Sequence, residues 1–241
     1  MTVLVFSPNW LGDAVMALPA VADLRCYAGT GRLVVAARPS VAELWRVVPG
    51  VDEVVTVAGA RGAARWGALE ANVRTVRQVH ADVAVLLPNS LQTALVARRA
   101  GIPERWGYRR NLRRWLLSRA VPHPRAAVHQ ADDYRHLVAA LGIENGPRTP
   151  SLEAPKDAVD AARAILTEHG WTPGVRLLGL APGAAYGGAK QWLPDRFASV
   201  ASGLGRSHGA VSVFVGSEAD GPAAWAIEAE LDKIEIGRAH V

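Results

Sequence analysis

The chain of 241 residues is 50% hydrophobic and carries a formal net charge of +5 at neutral pH, which fits one complete domain and part of another, each with a buried core. No apolar run approaches the roughly 20 residues of a membrane-spanning helix and no signal peptide is visible, so we expect a cytoplasmic protein. The single cysteine, Cys26, excludes an intramolecular disulfide, and we expect it to be buried in a helix.

The first half of the chain alternates short β-branched runs with segments of helical periodicity, which is the pattern of βα units around a parallel sheet. The predicted strands cover residues 2–6, 33–37, 53–57 and 83–87. The predicted helices cover residues 13–27, 40–48, 65–79, 91–100 and 130–141, with Ser40 as the cap of the second. No element is predicted between Gly101 and Arg125. The sequence therefore predicts a doubly wound α/β domain over residues 1–150.

A connection rich in proline and glycine, residues 142–155, separates this domain from a second region. There the same pattern starts again, with predicted helices over 156–169 and 195–204, strands over 177–181 and 211–215, and a loop over 182–193. Two strands are too few for a parallel sheet that is covered on both faces. We therefore expect a second Rossmann-like domain over residues 151–234 that is incomplete.

The last residues, 235–241, differ in character from the rest of the chain. They match the translation of a common sequencing adapter and are interpreted as a non-native tail. On this interpretation the natural protein continues beyond Ile234.

The most informative motif is Ser-Pro-Asn-Trp-Leu-Gly-Asp, residues 7–13, in the turn from the first predicted strand to the first predicted helix. Such turns are the usual ligand positions of open α/β sheets. Asn9 lies in this turn, and Gly12 lets the backbone approach a ligand closely. Asp13 is either a first-turn acid that complements the helix dipole or a general base that takes a proton from a sugar hydroxyl.

Several familiar kinds of site are excluded by the sequence. The turn has neither the dinucleotide-binding pattern Gly-x-Gly-x-x-Gly nor the lysine of a P-loop, and Gly-x-Ser-x-Gly is absent from the chain. The histidines show no metal-ligand spacing and Asp-x-Asp is absent, so no metal site is expected. NAD-dependent, P-loop and α/β-hydrolase chemistry are therefore disfavoured.

Two further loops follow predicted strands. Asn89 and Ser90 are placed either to cap the next helix or to hydrogen-bond a substrate, and capping is the commoner role. In the loop of residues 181–192, glycines such as Gly183 free backbone N–H groups to approach phosphate oxygens, and Lys190 adds a positive charge. These loops are candidate ligand sites.

A segment from Tyr108 to Leu117 contains four arginines among aromatic and leucine residues. One interpretation is a set of solvated arginines over a packed apolar face at helical spacing. The other is a site for an acidic partner, either an anionic membrane surface or a phosphorylated glycolipid. Nucleic acid is disfavoured because no recognised nucleic-acid motif accompanies the charge.

Four segments together resemble glycosyltransferase family 9, and within it the lipopolysaccharide heptosyltransferase II branch. They cover residues 7–13, 86–103, 181–192 and 213–220, in the family's order along nearly the whole chain up to about residue 233. The resemblance implies two Rossmann-like domains of the GT-B type, the first holding mainly the acceptor and the second mainly the donor.

The resemblance also implies a reaction. The family transfers heptose from ADP-heptose to the lipopolysaccharide inner core with inversion, without a metal or cofactor, and Asp13 matches its proposed base. The residues predicted to bind substrates are Asn9, Gly12, Asn89, Ser90, Gly183, Tyr186 and Lys190. The implied partners are the nucleotide-sugar donor and an anionic glycolipid acceptor, with no nucleic acid. We expect a monomer in the cytoplasm that contacts the inner membrane peripherally.

One family segment, Asp-Ser-Gly-x-x-His, is absent from these 241 residues, so we expect that the chain alone does not catalyse transfer. Two alternatives therefore stay open. The first is a non-catalytic module that binds nucleotides or sugar phosphates. The second is an adaptor for a membrane surface or nucleic acid, whose binding falls with salt and does not depend on Asp13.

Overall fold

The computed structural model of the protein describes residues 1–59, 64–126, 128–149, 151–184 and 188–232. The chain divides into two compact units, Met1–Glu153 and Ala154–Val241. Tyr186 and the interpreted tail over residues 235–241 lie outside the described residues.

The first unit is a six-stranded parallel sheet with helices on both faces. Its strands are β1 (Thr2–Phe6), β2 (Arg32–Ala37), β3 (Glu53–Thr56), β4 (Val83–Leu86), β5 (Glu104–Tyr108) and β6 (Arg119–Val121). Its helices are α1 (Leu11–Ala28), α2 (Pro39–Arg46), α3 (Ala64–Gln78), α4 (Leu91–Arg99) and α5 (Gln130–Ala139). The strand order is β3-β2-β1-β4-β5-β6, and every neighbouring pair is parallel. This is the doubly wound order, and the predicted α/β fold class is confirmed.

The central strands are buried on both faces because their sequences are nearly continuous apolar runs. In β1, Val3 and Val5 belong to a core shared with α1, α2 and α5, whereas Leu4 and Phe6 belong to a core shared with α3 and α4. The chain reverses its direction of winding between β1 and β4, which pair in register from Val3 opposite Val83 to Phe6 opposite Leu86. The carboxyl ends of β1 and β4 therefore lie side by side at the topological switch point.

A buried polar contact fixes α1 against α5. Asp23 of α1 is 1% exposed, accepts a 2.6 Å hydrogen bond from the backbone N–H of Gly146, and lies 3.4 Å from Nε of Arg135 on α5. A Cβ atom at Gly146 would lie 2.5 Å from the backbone nitrogen of Asp23, so only glycine allows this approach. The carboxyl-terminal half of α1 is thereby fixed to α5 and to the segment that follows it.

The second unit contains α6 (Lys156–Glu168), β7 (Leu177–Leu180), α7 (Pro194–His208), β8 (Val211–Phe214) and α8 (Gly221–Asp232). Strands β7 and β8 are parallel neighbours. Its small apolar core consists of Leu180, Ala198, Ala201, Ile227 and Leu231.

Several local predictions are wrong. Ser40 is not a cap, because α2 begins at Pro39, whose fixed φ suits a first helical position, and Arg38 precedes it. Strands β5 and β6 and helix α8 were not predicted. Cys26 is exposed rather than buried, because it lies on the side of α1 that faces away from the sheet, and its thiol is 3.6 Å from the carbonyl oxygen of Asn145.

Candidate functional site

The switch point brings two of the predicted loops together. Asn9, after β1, and Ser90, after β4, line the same small cavity of about 70 Å³. Arg38, directly after β2, and Asn72 of α3 line it as well. The side-chain amide of Asn72 holds the loop after β3 by exchanging hydrogen bonds of 2.8 and 2.9 Å with the backbone of Ala58. The cavity is thus built from the carboxyl ends of four neighbouring strands.

Arg38 is a candidate binding residue that the sequence interpretation missed. It is exposed and follows β2 at the same edge as the predicted site residues. Its guanidinium packs on Gly59, where a Cβ atom would lie 2.9 Å from Cζ. A positive charge immediately after a central parallel strand is the signal that could have identified it.

The turn after β1 has a defined shape because its first residue is buried. Ser7 donates a 2.8 Å hydrogen bond to the carbonyl oxygen of Pro8 and accepts a 2.7 Å hydrogen bond from the indole Nε1 of Trp45. Trp45 is fully buried on α2. The turn that carries Asn9 is therefore braced by an aromatic side chain from the next βα unit.

Asp13 is the third residue of α1, close to the positive end of the helix dipole. Within the part of the chain that the structure describes, its carboxylate makes no hydrogen bond or ion pair. Its charge reaches Tyr134 of α5. Burial is the main cause that raises the pKa of Tyr134 above its ordinary value, and the charges of Asp13 and then Asp133 add to it. The half-exposed Asp13 carboxylate therefore lies near enough to Tyr134 for its charge to disfavour the tyrosinate.

Gly12 is not required by the fold. Its φ is not positive, and a Cβ atom there would meet nothing within 4 Å. The glycine therefore leaves open space beside Asp13, as expected if a ligand approaches the first turn of α1.

Ser90 is the N-cap of α4, with its hydroxyl 3.4 Å from the backbone nitrogen of Thr93. Ser90 therefore caps α4, which was the commoner of its two predicted roles. It also lines the cavity at the switch point, so the cap and a substrate contact are compatible. Asn89 has a different partner, Arg113, which the sequence interpretation had grouped with the solvated arginines.

Arg113 is 0% exposed and braces the loop after β4. Its Nη2 donates to Oδ1 of Asn89 at 3.0 Å, its Nε donates to the carbonyl oxygen of Tyr108 at 3.0 Å, and its Nη1 donates to the carbonyl oxygens of Pro88 and Ser90. Burial lowers the pKa of Arg113 to about 10, so the guanidinium is still charged at neutral pH. The interpretation of this segment as solvated arginines over a packed apolar face is wrong for Arg113, and the segment contains one 3₁₀ turn, Arg114–Leu116.

In the second unit, a larger cavity of about 610 Å³ lies at the carboxyl ends of β7 and β8. Its lining includes Pro182 after β7, Ser217 and Glu218 after β8, and Trp225 and Glu228 of α8. The described lining thus combines carboxylates and a hydroxyl with an aromatic ring. This composition suits a ligand with hydroxyl groups and a flat ring.

Asp220 ties the two strand ends together. Its carboxylate accepts hydrogen bonds of 2.8 Å from both the backbone N–H and the hydroxyl of Ser217, and these bonds lower the pKa of Asp220. A Cβ atom at Gly183 would lie 2.1 Å from Oδ1 of Asp220. Gly183 is therefore explained by an internal contact, which leaves its predicted contact with a ligand as a proposal.

Lys190 ends the 3₁₀ turn Gly188–Lys190 and is exposed. Neither Lys190 nor Gly183 is among the described residues that line the larger cavity, although Asp220, which Gly183 approaches, is.

Within the described ranges no three His, Cys, Asp or Glu side chains form a possible metal site. None of the helices that the structure describes is long and apolar enough to cross a membrane.

The polar side chains at the switch point of a doubly wound sheet define the first unit as a Rossmann-like α/β domain. The second unit has a cavity of its own at the ends of its parallel strands. The sequence model of glycosyltransferase family 9 (heptosyltransferase) matches residues 70–237. The chain therefore belongs to glycosyltransferase family 9, and the resemblance seen in its motifs is confirmed.

Individual proteins agree with this assignment. Lipopolysaccharide heptosyltransferase 2 of Salmonella typhimurium is 27% identical over 243 residues, which cover 96% of this chain and 68% of the relative. The crystal structure of the family 9 glycosyl transferase from Veillonella parvula is similar with a TM-score of 0.85 at 21% identity, covering 99% of this chain and 68% of that one. For E. coli ADP-heptose lps heptosyltransferase II the TM-score is 0.75 at 25% identity, with 95% and 68% covered.

The chain spans between 60% and 68% of the length of its curated heptosyltransferase 2 relatives. The fold class predicted from the motifs, α/β of the GT-B glycosyltransferase type, is confirmed by the solved structures.

Proposed function

We propose that this protein transfers heptose from ADP-heptose to the inner core of lipopolysaccharide, with inversion and without a metal. The proposal is supported by the family match and by relatives named as lipopolysaccharide heptosyltransferases. It is also supported by the likeness to E. coli ADP-heptose lps heptosyltransferase II at 25% identity. The proposed partners are the nucleotide-sugar donor and an anionic glycolipid acceptor, which a monomer meets at the cytoplasmic face of the inner membrane.

The observation that carries the proposal is the position of Asp13. Its carboxylate stands at the amino-terminal end of α1, makes no hydrogen bond with the described residues, and lies at the sheet edge where Asn9 and Ser90 share a cavity. In the proposed reaction Asp13 takes the proton of the acceptor hydroxyl as its oxygen attacks the anomeric carbon. Attack from the face opposite the departing diphosphate inverts that centre. Asn9, Gly12, Asn89 and Ser90 would then position the acceptor.

The second unit is proposed to hold the donor. Lys190 and the backbone N–H groups of the loop after β7, which includes Gly183 and Tyr186, would stabilise the charge that develops on the departing diphosphate. The carboxylates of the larger cavity, such as Glu218 and Glu228, can accept hydrogen bonds from donor hydroxyl groups. Positive charge for the diphosphate and carboxylates for the hydroxyls together match a nucleotide sugar.

The test is a transfer assay with the protein translated from the complete reading frame of its gene. ADP-heptose is supplied with a lipopolysaccharide acceptor that ends in one inner-core heptose, and the acceptor is analysed by mass spectrometry. The proposal predicts ADP release and a gain of one heptose on the acceptor, both undiminished by a metal chelator. Binding of ADP-heptose without any transfer would instead support the non-catalytic binding module.

A further inference from the structure

The loop that follows β5 presents apolar side chains to solvent. In this loop, residues 109–115, Leu112 is 90% exposed and Trp115 is 65% exposed. Arg109, Arg110 and Arg114 are exposed around them. A leucine and a tryptophan that are both exposed in one arginine-rich loop need an explanation that single exposed apolar residues do not.

The backbone of the loop is strained at its tip. Asn111 has a φ of +54° and Leu112 a φ of +56°, a conformation that leucine rarely adopts. Contacts on both sides of Leu112 hold the backbone in this conformation. Before it, the Asn111 amide donates a 2.5 Å hydrogen bond to the carbonyl oxygen of Asn89. After it, the buried Arg113 donates to the Asn89 side chain. The fold thus displays Leu112 at an energetic cost, and glycine or asparagine would satisfy the backbone better.

The sequence on both sides of the loop carries charge of one sign, although in the structure the Asp133 carboxylate lies 3.1 Å from Nε2 of His123, and the same nitrogen is 3.2 Å from Nη1 of Arg110. Between Arg105 and Ala131 the sequence contains arginines and histidines but neither aspartate nor glutamate. Arg98 of α4 adds to this surface, since its guanidinium lies 5.7 Å from the Trp115 ring centroid and donates to the Trp115 carbonyl oxygen at 3.2 Å. Apolar side chains surrounded by arginines are complementary to a bilayer surface with anionic headgroups.

We propose that the loop of residues 109–115 docks this protein on an anionic membrane surface. Leu112 and Trp115 enter the boundary between headgroups and acyl chains, while Arg109, Arg110 and Arg114 bind headgroup phosphates. The inference rests on the proposed function in one respect, because a glycolipid acceptor is presented at a bilayer. Arg113 and Asn111 join this loop to the Asn89 turn, so docking would bring the switch-point site to the membrane surface.

The experiment is co-sedimentation of the 241-residue chain with two sets of vesicles, one of phosphatidylcholine and one of equal parts phosphatidylcholine and phosphatidylglycerol. The vesicles contain neither acceptor nor donor, so a failed transfer assay and a failed docking experiment are distinguishable. We expect binding only to the anionic vesicles. Equal binding to both sets, or to neither, would overturn the proposal.

Two substitutions at Leu112 separate docking from folding. Leu112→Gly and Leu112→Asn both relieve the positive φ, so neither should lower the Tm, whereas each should weaken vesicle binding roughly tenfold through lost apolar contact. Retained binding in both variants would contradict the proposal. A lowered Tm in both would also contradict it, because the leucine would then serve the fold.

A charge variant and its matched control test the arginines. Arg109→Gln with Arg114→Gln should weaken anionic vesicle binding by about fivefold for each arginine removed. Arg163→Gln with Arg206→Gln changes the net charge equally on exposed helix positions of the second unit and should leave binding unchanged. Equal loss in both pairs would mean that net charge, not this loop, attracts the membrane. Binding to an RNA oligonucleotide is measured as well. If the protein binds the RNA but not the vesicles, and Leu112→Asn binds the RNA equally well, the surface is a nucleic-acid site and the proposal is overturned.

Discussion

Arg113 fixes the orientation of the Asn89 side chain. Because arginine only donates hydrogen bonds, the atom of Asn89 that lies 3.0 Å from Nη2 is the amide oxygen, and the amide NH₂ remains as the group that can donate to a ligand. The same guanidinium contacts three backbone carbonyl oxygens on both sides of the loop. A candidate binding residue is thus positioned by a buried charge from the β5–β6 connection.

Arg113→Lys should destabilise the protein strongly. A lysine ammonium cannot span the carbonyl groups of Tyr108 and Pro88 and the amide of Asn89, so buried acceptors lose their partners at a cost of about 2–4 kcal/mol. Urea unfolding measures this change. Arg114→Lys, at an exposed neighbouring position, is the control and should change stability by less than about 0.5 kcal/mol. Similar values for the two variants would refute the bracing role.

Gly12→Ala should separate stability from activity. Since a Cβ atom meets nothing within 4 Å, alanine in the first turn of α1 should stabilise the helix by about 0.5–1 kcal/mol. The same methyl group should raise the acceptor KM if a ligand uses this space. Gly67→Ala in α3, where a Cβ atom also meets nothing, should stabilise without affecting the KM. An unchanged KM in Gly12→Ala would remove Gly12 from the site.

Gly183→Ala and Asp220→Ala should not act additively. The alanine methyl at 183 displaces the Asp220 carboxylate and breaks its two bonds to Ser217, so each single variant should lower the Tm of the second unit. The double variant should be no less stable than the worse single variant, because the lost contact is the same one. Strictly additive shifts in calorimetry would show that Gly183 and Asp220 act independently.

Asp52 makes stability depend on pH in the acid range. The backbone N–H of Leu33, and after it the Arg25 guanidinium, hold the pKa of Asp52 below 3.8, with burial opposing them. The folded state therefore releases the proton more readily than the unfolded state, and stability is lost as the pH falls from 3.8 through the folded-state pKa. Because the carboxylate is 45% exposed, the effect is at most about 1 kcal/mol.

Asp52→Asn should remove this part of the pH dependence. The free energy of unfolding of the variant should be lower than that of the native protein at neutral pH, and the two values should converge below pH 3.8. Denaturant titrations across the acid range measure the difference. A gap that stays constant through the acid range would exclude Asp52 as its source.

The sequence predicts best those strands whose apolar pattern follows directly from their burial in the middle of the sheet. Strands β1, β2 and β4 are continuous apolar runs because both faces are buried, and their turns carry Asn9 and Ser90 because ligand sites form at such ends. The edge strands β5 and β6 lack this pattern. Glu104–Tyr108 contains an arginine and a glycine, and Arg119–Val121 has only three residues.

Arg113 shows why part of the site was not predictable. Its exposed neighbours Arg110 and Arg114 have the same local sequence character. Arg113 is distinguished by its burial and by its hydrogen bonds, most of which reach acceptors more than 20 residues away in the Pro88–Ser90 turn. Leu112 is similar, since helical spacing suggests a packed face whereas the backbone turns it outward. Such residues are defined by tertiary contacts rather than by local periodicity.

The most direct test of the account is the turnover number of Asp13→Asn in the heptose transfer assay. Loss of a general base should lower kcat by roughly 100- to 10,000-fold, with the KM for donor and acceptor within a few-fold of the native values. Asp157→Asn, which changes a first-turn acid of α6, is the matched control and should turn over normally. A kcat for Asp13→Asn within about threefold of the native value would contradict the central claim and leave Asp13 as a helix-stabilising acid.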